Sequence, residues 1–129
     1  MANVQNGAVI FAKDILRIAN FYANTTDLKI CEKDNSHVKL ESSSFQLVVL
    51  KTPKHIAQTI DITVPPVPRE QTPIKLVFFV DSIEKAREVV KNFGGKLKSN
   101  NEAWEYDKHK VCDGCDPEGN VFQLRAPVG

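Results

Sequence analysis

The chain has 129 residues, 42% of them hydrophobic and 26% charged, with a net charge of +1. That length suits one domain, 1–129, with a sizeable core, and the balance is that of an ordinary soluble globular protein. A near-neutral charge without a basic block among aromatics gives no footprint for nucleic acid or an anionic membrane.

Read from the N-terminus, Met1 to Asn6 carries no basic-then-apolar signal pattern. The longest uncharged apolar runs, Leu47–Leu50 and Leu76–Val80, are too short to span a bilayer. Three cysteines, Cys31, Cys112 and Cys115, then read as reduced thiols of a cytoplasmic protein. Val9 to Ala12 forms an apolar strand. After Lys13-Asp14, Ile15, Ile18, Ala19 and Tyr22 recur at helical spacing, and Asn24-Thr25-Thr26 ends that helix. Strands Leu28–Glu32, His37–Glu41 and Phe45–Lys51 follow, separated by Asp34-Asn35 and Ser42-Ser43. Five of the seven prolines lie between Pro53 and Pro73, so 53–72 reads as a stiff connector that joins neither a central strand nor a helix.

The second half repeats the first. Leu76 to Val80 is an apolar strand and Asp81 an N-cap, with Glu84 in capping-box position. Ile83, Ala86, Val90 and Phe93 keep helical spacing until Gly94-Gly95 stops the helix. Asp14 and Asp81 are 67 residues apart, and the same offset carries Ala19 to Ala86. Strands are expected at Lys96–Lys98, Ala103–Cys112 and Val121–Arg125, so each half reads β-α-β-β-β. Asp116-Pro117-Glu118-Gly119 is a β-turn: Asp bonds its own backbone, Pro presets φ and Gly relaxes the exit. Beyond it Val121, Gln123 and Arg125 share one strand face. The polar Gln123 reads in three ways: a metal ligand, a ligand-binding group or a solvated strand residue.

Four features together resemble the vicinal oxygen chelate superfamily, which includes glyoxalase I, extradiol dioxygenases, fosfomycin-modifying enzymes and bleomycin-resistance proteins. They are the strand and Lys13-Asp14 before a helix with Phe21-Tyr22, Val80-Asp81 before a second helix, Gly94-Gly95 after it, and Asp116-Pro117-Glu118-Gly119-Asn120 before the last strand. The resemblance runs from about Gly7 to Ala126. It implies an α+β fold of two βαβββ modules, about 7–52 and 73–126, forming one eight-stranded half-open barrel, usually in a homodimer. It places the superfamily's metal-ligand positions at Gly7, Gln46, Lys75 and Gln123. Glycine has no side chain, a lysine ammonium donates only, and two neutral amides make a poor first shell for zinc, iron or nickel. No metal and no cofactor are therefore expected.

By strand alternation from those positions, the open face carries Gly7, Val9 and Phe11, then Gln46, Val48 and Leu50. Lys75, Val77 and Phe79 join them, with Val121, Gln123 and Arg125. Such a lining, apolar with a few polar groups, is that of a small-molecule pocket, and Lys75 and Arg125 favour an anionic or electron-rich ligand. Trp104 and Tyr106 share a face of a charge-rich strand, as a cross-strand aromatic pair, a stacking wall or a dimer contact. The candidate ligand-binding set is Phe11, Gln46, Val48, Lys75, Phe79, Trp104, Tyr106, Gln123 and Arg125. Each has a structural alternative: Lys75 with its stem packed and its ammonium in water, Gln46 and Gln123 bonded to each other or to water, Phe11 and Phe79 as core.

Cys112-Asp113-Gly114-Cys115 near His109 lacks the second cysteine pair of a zinc site and ends a strand where a redox motif opens a helix. His37 and His55 read as surface residues, and Ser42-Ser43-Ser44 has no base and acid at triad spacing. The expected function is thus metal-independent binding of a small, partly apolar or anionic ligand. The alternatives are a glyoxalase- or dioxygenase-like enzyme, with an atypical metal site or with Lys75 as base, and an accessory domain for protein contact.

Overall fold

The computed structural model describes residues 6–128. Residues 1–5, most of the stretch read above for a signal pattern, and Gly129 lie outside them. The chain divides into two compact units, Met1–Asp61 and Ile62–Gly129. No helix among the described residues is long and apolar enough to cross a membrane.

The first unit contains β1 (Asn6–Ala12), α1 (Ile15–Thr25), β2 (Lys29–Lys33), β3 (His37–Glu41) and β4 (Phe45–Lys51). The sheet order is β1-β4-β3-β2, with β1 parallel to β4 and the other pairs antiparallel. The Asp14 carboxylate accepts the backbone N–H of Arg17 at 3.1 Å and starts α1. Ile15, Ile18, Ala19 and Tyr22 are all buried. They pack against one face of the sheet, where Val38, Leu40, Leu47 and Val49 are fully buried. Each such side chain contributes roughly 1.5–3 kcal/mol.

The second unit contains β5 (Leu76–Phe79), α3 (Ile83–Asn92), β6 (Lys96–Leu97), β7 (Trp104–Tyr106), β8 (His109–Cys115) and β9 (Val121–Pro127). Its sheet runs β5-β9-β8-β6, with β7 paired to β8. Phe78, Ile83, Ala86, Val90, Phe122 and Leu124 form its core, and α3 packs on β6, β8 and β9.

Three expectations are corrected. The segment Ala103–Cys112 is not one strand: Asp107 (φ 50) and Lys108 (φ 62) make a tight turn between β7 and β8. The second sheet therefore has five strands, and the described residues have nine rather than eight. The cap of α3 is Ser82, whose hydroxyl accepts the N–H of Lys85 at 3.2 Å. Asp81 is displaced because Val80 N–H still bonds Arg125 O at 2.8 Å, which extends the β5 ladder by one residue. Glu84 instead accepts the Lys110 ammonium at 2.7 Å. The connector is not free of helix, because Lys54–Ala57 forms one turn, α2, after Pro53; His55 is exposed on it. His37, at the surface, is bonded to Glu32 and Asp34.

The Asp116 turn is built as its residues require. The buried Asp116 carboxylate accepts Glu118 N–H at 2.8 Å, Asn120 N–H at 3.1 Å and the Asn120 side-chain amide at 2.8 Å. Gly119 has φ +85, and a Cβ there would stand 2.3 Å from Val67 O. This close approach lets Arg69 N–H donate to Gly119 O at 2.8 Å and Arg69 Nη2 to Asn120 Oδ1 at 2.6 Å. The connector end 67–69 is thereby fastened to the turn.

Candidate functional site

In each sheet the helix covers one face and leaves the other open. On the second sheet's open face, Gln123 lies between Val77 of β5 and Asp113 of β8 in the register. Its amide nitrogen donates to Asp113 Oδ1 at 3.1 Å, and its amide oxygen accepts Arg125 Nε at 2.8 Å. The other Asp113 oxygen accepts the Lys75 ammonium at 2.9 Å. Lys75, Asp113, Gln123 and Arg125 thus form one chain of hydrogen bonds.

The Arg125 guanidinium lies 5.8 Å from the Phe79 ring centroid and 5.3 Å from that of Tyr106, contacts worth about 0.5–1 kcal/mol each at exposed sites. Phe79 meets His109 edge-on at 5.2 Å. Gln123 is only 8% exposed, whereas Phe79 is 60%, Tyr106 59% and Trp104 43% exposed. One buried amide orients the cation; exposed rings flank it.

On the first sheet's open face, Phe11 is exposed and Gln46 and Val48 are half-buried. Gln46 Nε2 donates to Glu41 Oε2 at 3.5 Å. Glu41 also meets Lys39 at 3.7 Å and accepts the Cys31 thiol at 3.3 Å. Lys39 and His37 both reach Glu32. Hydrogen bonds from His37 and then Lys39 lower the Glu32 carboxyl, and the bond to Glu32 raises His37. Ser36 N–H and O–H hold Asp34 down at about 2. This network sets three carboxylates against Lys39 and His37.

The sequence profile of the glyoxalase-like domain family matches residues 7–125. The chain belongs to that family. Among solved structures, it is similar to a glyoxalase/bleomycin resistance protein/dioxygenase family enzyme from Burkholderia phytofirmans PsJN, with a TM-score of 0.71 and 19% identity over 95% of this chain and 97% of the other. It is also similar to the fosfomycin resistance protein FosX from Listeria monocytogenes, with a TM-score of 0.67 and 13% identity over 99% of this chain and 96% of the other. For FosX from Mesorhizobium loti the values are 0.63 and 10%, over 99% and 92%. No curated protein sequence matches significantly.

The residues of this glyoxalase-like chain do not fit the metal of its vicinal oxygen chelate relatives. Any side chain at position 7 would begin 2.6 Å from the Gln46 carbonyl oxygen. The Lys75 ammonium is directed at Asp113, and the Gln123 oxygen is engaged by Arg125. Among the described residues no three His, Cys, Asp or Glu side chains group so as to hold a metal ion. The cysteine pair does not repair this. Burial raises both thiols, Cys115 to about 11. Cys112 donates to Lys98 O on the α3 side beside Arg87, and Cys115 lines a cavity on the open side. His109 turns to Asp107 O at 2.6 Å.

Of the nine sequence-derived site residues, Lys75, Phe79, Tyr106, Gln123 and Arg125 are joined directly or through Asp113 on the second sheet's open face. Trp104 is two residues from Tyr106 on β7 and is opposite Val111. Phe11, Gln46 and Val48 lie in the first unit. Gln46 and Gln123 each bond an acidic side chain of their own sheet. Asp113 was missing from the sequence-derived set, although it joins Lys75 to Gln123. Its signal was its place beside Gln123 in the antiparallel ladder.

Proposed function

We propose that this glyoxalase-like protein binds a small, partly aromatic anion on the open face of its second sheet without a metal. One observation carries the reading: the Lys75–Asp113–Gln123–Arg125 chain ends in a guanidinium flanked by exposed Phe79 and Tyr106. A planar carboxylate meets the guanidinium with its charged end and the rings with its body. Lys75 meets a ligand as a charge, since its ammonium already donates to Asp113.

Trp104 is the sole tryptophan and is 43% exposed on β7, so its fluorescence reports this face. Titration with benzoate is expected to give saturable quenching, and benzylamine none. Arg125→Ala should raise the benzoate Kd about tenfold, the loss of one charge-assisted contact. Quenching that fails to saturate would sink the reading. Stoichiometric nickel, zinc or iron in the purified protein would remove its metal-free part. The reading includes a homodimer, which light scattering during size-exclusion chromatography tests; a monomer would refute that element.

A further inference from the structure

We propose that a cavity of about 480 Å³ beside β6 and β8 is a second binding site, which seats the oxyanion head of a small organic acid between Lys96 and Lys98. This goes beyond the aromatic-face reading and shares with it only the Lys75–Asp113 pair. The volume lies within the roughly 300–1,000 Å³ usual for small-molecule sites. Lys96 is opposite Cys115, which is opposite Val121, and Lys98 N–H continues the ladder to Asp113 O at 2.9 Å. Lys96 and Lys98, two residues apart, therefore project to the side of Asp113 and Val121.

The charges around the cavity are equal in number and differ in how firmly each is paired. Asp113 is held by Lys75 and Gln123, and Glu102 accepts the Ser99 hydroxyl at 3.2 Å. Lys98 reaches Glu70 only at 3.7 Å, and their side chains are 44% and 65% exposed. Such a pair contributes little and exchanges readily for a better anion. Lys96 forms no ion pair among the described residues. The lining is thus neutral overall, three lysines against three carboxylates, but on β6 the Lys96 ammonium is unpaired and that of Lys98 loosely held. An oxyanion head seated between those two ammoniums replaces the loose Glu70 contact, with Pro68 and Val121 against a short apolar body.

The wall opposite the strand is fixed in advance. Pro68 and Glu70 flank Arg69, whose bonds to Gly119 and Asn120 fasten the connector to the Asp116 turn. A wall ordered before binding does not have to be ordered by the ligand. Arg69 is thereby a positioning residue.

The test is nuclear magnetic resonance of the full chain at constant ionic strength, with propionate and inorganic phosphate as separate probes. The backbone amides of Lys96, Leu97, Lys98 and Val121 should shift saturably with at least one probe, and which one does so separates carboxylate from phosphate ligands. Lys96→Gln and Lys98→Gln should each weaken binding about tenfold. Lys96→Arg should restore it, and Arg69→Ala should weaken it. Absence of saturation with both probes, or equal affinity in Lys96→Gln, overturns the proposal. Shifts confined to the amides near Trp104 and Arg125, and lost in Arg125→Ala, overturn it too while leaving the aromatic-face site standing.

Discussion

Removing the Asp113 carboxylate deprives two donors of their acceptor, the Lys75 ammonium and the Gln123 amide nitrogen. The consequences differ, because Lys75 is exposed and Gln123 is only 8% exposed. An exposed ammonium returns to water, whereas a buried amide without a partner costs about 1–3 kcal/mol. Asp113→Ala should therefore destabilise the protein by that amount in urea denaturation, and Lys75→Ala by less than about 1 kcal/mol. Equal effects would mean that the amide finds another acceptor. Gln123 and Arg125 were legible from strand alternation alone. Asp113 was not, because the segment Cys112–Cys115 was weighed for its two cysteines alone. Its pairing with Gln123 depends on the Asp107-Lys108 turn, and lysine at positive φ is no hairpin signal.

At the scale of elements, the internal repeat is visible in the sequence but its offset is not. The caps Asp14 and Ser82 are 68 residues apart, and the same step carries Ile15 to Ile83, Ile18 to Ala86 and Tyr22 to Val90, all buried. Matching Asp14 to Asp81 gave 67 because aspartate is the stronger-looking cap. The ladder bond from Val80 to Arg125 moves the helix start one residue on. Ser82→Ala should accordingly cost about 1 kcal/mol in thermal or urea denaturation, and Asp81→Ala less than half of that. The reverse order would restore Asp81 as the cap. The Asp116 turn was legible in the bond of its carboxylate to Glu118 N–H and in Gly119 at the exit, but its bonds from Asn120 were not. Fastening of the connector to it was not, since nothing local in Val67–Arg69 names a partner 51 residues on.

For the whole molecule, stability on the alkaline side is tied to a buried thiol. Cys115 is fully buried, and burial, aided by the Asp116 charge, raises it from 9.0 to about 11. A group that ionises less readily when folded binds its proton more tightly in the native state than in the unfolded one. Below pH 9 both states hold the proton and stability is unaffected. Between about 9 and 11 the unfolded chain ionises first, so stability falls by up to about 1.4 kcal/mol per pH unit from this group. Above that range both states are ionised and the loss levels off. Cys112, raised by its own burial, adds to the slope in the same direction. Urea denaturation of the reduced protein across this range should show the decline. Cys115→Val, similar in volume and without a titrating group, should flatten it while leaving stability at pH 7 within about 1.5 kcal/mol. An unchanged slope in that variant would assign the alkaline loss to other groups. The buried thiol would then be only a packing residue at the floor of the lysine-lined cavity.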